Sequence, residues 1–295
     1  MDIRVHANAK INLTLDVIDK RKDGYHLVEM LMQSVDLQDT VHITLNDEES
    51  GIFVQCNKSN LPLDQSNIAA RAAKAFFEAA GIENYYGVQI KIKKRIPIAA
   101  GLAGGSADGA AVIWGLNKLL KTELDEAELC RIGEAVGADL PFCIRGGTML
   151  ASGTGTILDP LPSMPSCYFV IAKPDFSVAT KEAYARIDEG LEESVRPNAE
   201  EASAAICGGK LKLLAGLLGN VFESVLPEEH RATVEHIKQI MLENGALGAC
   251  MSGSGPAVFG IFEDEPEAKQ CEDALENEFD EVFLCKPAET GLIEV

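Results

Sequence analysis

The stretch Pro97-Ile98-Ala99-Ala100-Gly101-Leu102-Ala103-Gly104-Gly105-Ser106-Ala107 is built almost wholly of small residues. It follows an alternating run, Val88, Ile90 and Ile92 against Gln89, Lys91 and Lys93, and precedes a helical spacing through Val112, Leu116 and Leu119. A polyphosphate needs many backbone N–H donors at close range, side chains small enough to admit it, and the positive end of a helix dipole. This stretch offers all three and is expected to hold an anion. A tight strand-to-helix connection with small residues for packing is the other reading of an isolated loop of this kind. The spacing matches neither GxGxxG nor GxxxxGKS/T, so dinucleotide and Walker-type binding lose weight. Asp139, in Gly137-Ala138-Asp139-Leu140-Pro141, follows a helical segment with a glycine stop. A carboxylate there either hydrogen-bonds its own turn or stands as a general base. Met251-Ser252-Gly253-Ser254-Gly255-Pro256, a second glycine-rich turn between apolar runs, faces a phosphate or closes a hairpin. Lys10 shares the polar face of an opening strand with Asn12; it is either a solvated lysine or a cation that offsets charge on a transferring phosphoryl group.

These residues need elements to hold them. From Ile3 to Val17 apolar and polar residues alternate strictly, which predicts a half-buried strand, bent midway. Strands are expected near Val41–Leu45 and Gly51–Gln55, and a helix over Ser66–Ala80. Asp125 and Glu128 form a capping pair for the helix carrying Leu129, Ile132 and Val136. Pro160, Pro162 and Pro165 interrupt regular structure, and a division into residues 1–162 and 163–295 is expected there. Beyond it the pattern predicts a strand at Cys167–Ala172 and helices at Lys181–Leu191, Glu200–Leu218, Glu228–Glu243 and Pro266–Phe279. It also predicts strands on either side of the second glycine turn and at Glu281–Cys285. The fold class is α+β in two domains, with the active site in the cleft between them.

The chain has 295 residues, 46% of them apolar, enough for a sizeable core without a metal or disulfide staple. Its net charge of −20 is wrong in sign for nucleic acid or an anionic membrane, and neither is an expected partner. Eight cysteines stand without a CxxC pair, which fits reduced thiols in a cytoplasmic protein. No run approaches the ~18 apolar residues of a membrane span. Lys10, Lys20, Arg21, Lys22 and the basic residues of Lys91–Arg95 either supply local positive potential at the site or, for the last group, line a solvated strand edge.

Taken together the three loops resemble the motif set of the GHMP superfamily of small-molecule kinases, whose loop reads approximately PxxxGLGGGSS. Within it, Ala7–Leu13, Arg21-Lys22-Asp23-Gly24-Tyr25-His26, Gln33–Asp39 and Gly137–Gly147 are similar, in order and over nearly the whole chain, to a branch acting on a cytidine-diphosphate-linked methylerythritol. The resemblance implies transfer of the ATP γ-phosphoryl group to a tertiary hydroxyl of that polyol, with Mg²⁺. It implies that Asp139 takes or orients the hydroxyl proton, that Lys10 holds Asp139 and the phosphoryl group, and that Pro97–Ala107 bind ATP, with Ser106 a candidate hydroxyl for phosphate or metal. Tyr25 and His26 match a cytosine site, Tyr184 is expected to stack from the opposite side, and Asn12 and Thr180 match substrate contacts. The chain departs at Ala179 (Ser in the family), at Ala103 (often Gly), which is expected to disfavour positive φ, and at Ala107, which leaves Ser106 the only nearby hydroxyl. The remaining alternatives are a homoserine or sugar kinase of the same superfamily, and a catalytically silent nucleotide sensor.

Overall fold

The computed structural model describes residues 1–46, 50–59, 61–82, 87–190 and 196–295. The opening alternation becomes β1 (Asp2–Lys20), and a turn through Asp23 and Gly24 reverses it into β2 (His26–Asn46), forming one long antiparallel hairpin. The second strand is far longer than Val41–Leu45 suggested. A bulge opposite Asn8 and Ala9 shifts its side-chain phase, so no single alternation runs through it. Two more register shifts bend the hairpin further along.

β3 (Gly51–Cys56) and α1 (Ile68–Ala79) follow, and then β4 (Gly87–Lys93), the anion-loop segment and α2 (Gly104–Leu120). α3 (Glu126–Val136) begins with the expected reciprocal capping box of Asp125 and Glu128. A short α4 (Leu140–Arg145) starts at Asp139, and β5 (Thr148–Ser152) and β6 (Ile157–Pro160) form a hairpin. None of these last three was foreseen, being too short to carry a period. β7 (Tyr168–Lys173) and α5 (Thr180–Gly190) come next; Leu191, where the sequence ended this helix, lies outside the described residues. The helix expected over Glu200–Leu218 is instead α6 (Ala199–Cys207) and α7 (Leu211–Ala215), broken at Gly208-Gly209, where Gly209 turns left-handed. β8 (Gly219–Asn220), α8 (Glu228–Glu243), β9 (Gly248–Met251), β10 (Val258–Phe262), α9 (Glu265–Leu275), β11 (Glu281–Cys285) and β12 (Leu292–Glu294) complete the chain.

Two sheets result. The first runs β12-β1-β2-β4-β3; β8 also pairs with β1, and β5, bonded to β6, pairs with β2. The second is antiparallel, β11-β7-β10-β9. One core joins the first sheet to α1, α2 and one side of the second sheet, including Phe76, Ile43, Leu116 and Phe259. The other gathers Phe142, Phe222, Phe262 and Met241 beneath α8 and α9. β1 lies between them. From Ala7 to Val17 it is buried on both faces, which corrects the half-buried expectation: the polar face of Asn8, Lys10, Asn12, Thr14 and Asp16 is covered by structure instead of water. Lys91 and Lys93 are exposed but not on a sheet edge, because β4 is flanked by β2 and β3; beyond the strand Arg95 is exposed and Lys94 is buried.

Candidate active site

The anion loop is anchored by burial of Pro97, Ala100 and Leu102, while Ile98, Ala99, Gly101 and Ala103 through Ser106 remain partly accessible. Ala103 is the N-cap of α2 at φ 55° and makes no side-chain cap bond. The leading amides of a helix have no intrahelical acceptor, so Gly104, Gly105 and Ser106 carry donors for an anion. The expectation that Ala103 avoids positive φ is corrected: both Ala99 (φ 52°) and Ala103 adopt the left-handed conformation despite their Cβ atoms, at a cost of about 1–2 kcal/mol each. Ala107 is fully buried, so the hydroxyl it lacks would have faced the core.

A buried ion cluster brackets this loop. Lys94, three residues before Pro97, donates to Asp39 of β2 and, at 2.8 Å, to Asp108 in the first turns of α2. Asp39 Oδ1 also accepts from the Arg95 and Ile96 amides at 2.6 and 2.9 Å. Burial acts to lower the Lys94 pKa, and the two carboxylates outweigh it and raise it. Burial pushes the Asp108 carboxyl up, to about 8, against the pull of Lys94. The sequence offered Lys94 only as one of a basic run; nothing local pairs it with Asp39.

A backbone bond brings Lys10 to the loop, and Asp139 lies near Lys10. The Lys10 amide donates to Leu102 O at 3.2 Å, placing the middle of β1 against the loop. Lys10 Nζ donates to Asn12 Oδ1 at 2.5 Å, and burial lowers its pKa while the charge of Asp139 raises it. Lys10 and Asp139 are therefore electrostatic neighbours, yet no direct ion pair joins them; the ammonium is held by Asn12. Asn12 is 0% exposed, its amide shared between Lys10 and Met30 Sδ. Asp139 occupies the N-cap position of α4 at φ −82°, but its side chain makes no cap bond. The ordinary use of an aspartate at a turn is thus not the one it has here.

The second glycine turn lies against the first. Ser252 Oγ donates to Gly101 O at 3.0 Å and accepts from the Asn12 amide at 3.2 Å; the Ala257 amide donates to Ala100 O at 3.1 Å. A Cβ on Gly101 would lie 2.1 Å from Ser252 O, so glycine is required by this backbone contact as well as by its φ of 79°. Gly253 and Gly255 also have positive φ, and Ser254 Oγ lies 3.1 Å from Thr180 Oγ1 at the start of α5.

One turn further along α5, Tyr184 stacks on His26 with ring centroids 4.6 Å apart and meets Phe222 edge-on. Burial, and then the charge of Asp139, push the Tyr184 hydroxyl up to about 12. No base fits between His26 and Tyr184 at that separation. Tyr25 in the adjoining turn is 67% exposed and offers an open face. His26 Nε2 lies 2.8 Å from Asp188, which also pairs with Lys20, so Lys20 and Arg21 (paired with Asp23) are partnered within the protein. The sequence missed Asp188, Asp39 and Asp108, each of which acts only through a partner distant in the chain.

A strand-to-helix loop of small residues, a second glycine turn locked to it and a buried lysine beside them have the form of a small-molecule kinase of the GHMP type. The GHMP kinases N terminal domain matches residues 67–147 and the GHMP kinases C terminal domain residues 201–281, and the chain belongs to this family. Within it, the chain is 48% identical to the 4-diphosphocytidyl-2-C-methyl-D-erythritol kinase of Acetivibrio thermocellus, over 96% of this chain and 98% of that protein. It is 43% identical to the enzyme of the same name from Clostridium tetani, over 96% and 99%. A crystal structure of 4-(cytidine 5'-diphospho)-2C-methyl-D-erythritol kinase superposes with a TM-score of 0.79 at 30% identity, covering 98% of this chain and 99% of that one. A homoserine kinase from Cytophaga hutchinsonii, 22% identical over 100% of this chain and 97% of its own, shares the fold with a TM-score of 0.78.

Proposed function

We propose that the protein transfers the γ-phosphoryl group of ATP to the 2-hydroxyl of 4-diphosphocytidyl-2-C-methyl-D-erythritol, a step of non-mevalonate isoprenoid synthesis. The observation that carries the reading is the Asp139 carboxylate, not used for capping, beside the buried Lys10 and the amide-lined loop. Phosphoryl transfer asks mainly for positioning and charge neutralisation. The amides of Gly104, Gly105 and Ser106 hold the phosphate oxygens, and Lys10, fixed by Asn12, offsets charge on the transferring group. Asp139 orients the substrate hydroxyl and accepts its proton. Tyr25 stacks the cytosine, and His26 and Tyr184 close that side of the pocket. The residues 1–162 carry the nucleotide loop and Asp139, and 163–295 form the opposing wall with Thr180, Tyr184 and the second glycine turn.

Among the described residues no group of three or more His, Cys, Asp or Glu side chains could hold a metal by itself. Mg²⁺ takes few protein oxygens and enters on phosphates, and Ser106 and Asp139 are the oxygen donors that would hold it. Mg²⁺ would supply neutralisation of phosphate charge. Small-molecule substrates in a cytoplasmic setting complete the reading, and among the described residues no helix is long and apolar enough to cross a membrane.

The test is mass-spectrometric detection of a product one phosphoryl group heavier when the protein is incubated with ATP, Mg²⁺ and the cytidylyl polyol, with homoserine and sugars in parallel. Product from the cytidylyl polyol alone is expected. Preferred turnover of another alcohol would reassign the substrate, and ATP binding without turnover of any alcohol would favour the sensor.

A further inference from the structure

We infer that Asn220 and Glu223, on the segment following α7, are positioning residues for both substrates: they hold the second glycine turn, which sets the nucleotide loop, the Lys10 strand and α5 relative to one another. The inference rests on the phosphotransfer reading above and adds residues to it that none of the three loops contains.

The second glycine turn is a junction. Ser252 bonds Gly101 O and the Asn12 amide, Ala257 bonds Ala100 O, and Ser254 meets Thr180. The contacts to the first loop include a backbone hydrogen bond from Ala257 to Ala100 and the close backbone approach of Gly101 to Ser252, so displacement of one loop displaces the other. What fixes the junction from behind is a pair of side chains. Asn220 Nδ2 donates to Met251 O at 2.7 Å and Gly253 O at 2.8 Å, while its Oδ1 accepts from the Phe222 amide at 3.0 Å. Glu223 Oε1 accepts from the Met251 amide at 2.7 Å and from Cys250 Sγ at 3.4 Å. Its other oxygen accepts from Lys238 Nζ at 2.8 Å. Both backbone polar groups of Met251, the last residue before the turn, are thereby bonded to side chains of one short segment.

That segment also reaches the polyol side. β8 pairs in parallel with Thr14 and Leu15 of β1, and Phe222 packs edge-on against Tyr184 at 5.0 Å. Asn220 and Glu223 touch neither substrate site directly. They act through Ser252 on the ATP loop and Lys10 strand, and through Ser254 and Phe222 on α5. A purely structural bond would lower the folded fraction and leave the surviving molecules with normal affinities. A positioning bond changes affinity itself, since a small displacement of a binding group is felt strongly at the reacting atoms.

The experiment is steady-state kinetics on Asn220→Ala and Glu223→Ala, quoted per folded active site, together with titration calorimetry of ATP without polyol. We expect KM for ATP and for the polyol each to rise about 10-fold or more, with a matching loss of ATP affinity. Glu223→Gln, which keeps an oxygen for the Met251 amide, should restore both KM values to within about 3-fold of the parent. If Asn220→Ala does not fold, Asn220→Ser, which retains one donor, takes its place and should give a smaller rise in both. Unchanged KM values with a lower kcat, or a rise confined to one substrate, overturns the inference. A parent protein that phosphorylates no alcohol refutes the reaction instead, and the calorimetric comparison then still decides whether Asn220 governs the ATP loop.

Discussion

Lys10 and Asp139 have different burdens. Lys10 is a buried ammonium held by Asn12, with no carboxylate in direct contact among the described residues to cancel its charge. Asp139→Ala and Lys10→Ala are each expected to lower turnover at least ~100-fold with the circular dichroism spectrum unchanged. Near-parental rates in a folded Asp139→Ala protein would remove its assignment as base. Tyr25→Ala should raise KM for the polyol by roughly 10-fold while leaving that for ATP alone, because stacking on one face of a base is worth about 1–3 kcal/mol. Asp108 makes stability depend on pH. Its carboxyl is raised to about 8 in the folded state, against about 4 when unfolded. Between those values the folded chain keeps a proton that the unfolded chain has released, so this group's contribution to stability falls as pH rises through the window and levels off above it. Urea midpoints measured from about pH 5 to about pH 8 should therefore fall less steeply, or rise, in Asp108→Asn relative to the parent; an identical slope would contradict a shared, buried proton.

At the level of elements, the loop joining β4 to α2 is held in a costly shape from both ends. Lys94 and Asp39 fix its entry and Asp108 its exit, around two left-handed alanines. Ala103→Gly should release about 1 kcal/mol of that strain, partly offset by the greater freedom of an unfolded glycine, and so shift the thermal midpoint upward or leave it near the parental value. A fall of several degrees would mean that the Ala103 methyl packs something essential. Lys94→Met should cost about 3–5 kcal/mol in denaturant unfolding, since it strands the buried Asp39 carboxylate and takes the donor from the buried Asp108 carboxyl. The loop, the helix behind it and the capping box of α3 were legible because each is a local pattern. The break in the helix beyond Glu200 was carried by Gly208-Gly209, a visible signal that the apolar spacing on either side overrode. The part of β2 before Val41 escaped because a bulge resets its alternation, and α4 and β5 because five or six residues cannot display a period.

For the whole molecule, β1 is the shared wall of two cores, and the end of the chain returns to it. β12 pairs with Val5–Ala7, and the Asn8 amide donates to Gly291 O at 2.8 Å. Gly291 passes so close to α4 that a Cβ there would lie 1.9 Å from Cys143 O. Gly291→Ala must move either this segment or the helix that begins at Asp139, and is expected to cost about 1–3 kcal/mol and to lower kcat together with stability. Unaltered kinetics and an unaltered midpoint would show that the segment yields freely. The overall charge of −20 does not describe the site, where Lys10 and Lys94 are buried beside the loop.

The sequence by itself determined the small-residue loop joining β4 to α2, the family and most of the regular elements, because small-residue runs, periodicity and caps are written into neighbouring residues. Tertiary structure alone decided that the polar face of β1 is enclosed, that Lys94 belongs to Asp39 and Asp108, that His26 lies on Tyr184, and that Asn220 and Glu223 brace the second glycine turn. Each of these is a contact between residues far apart in the chain, made favourable only when burial removes water and leaves every charge and amide to find its partner in the protein.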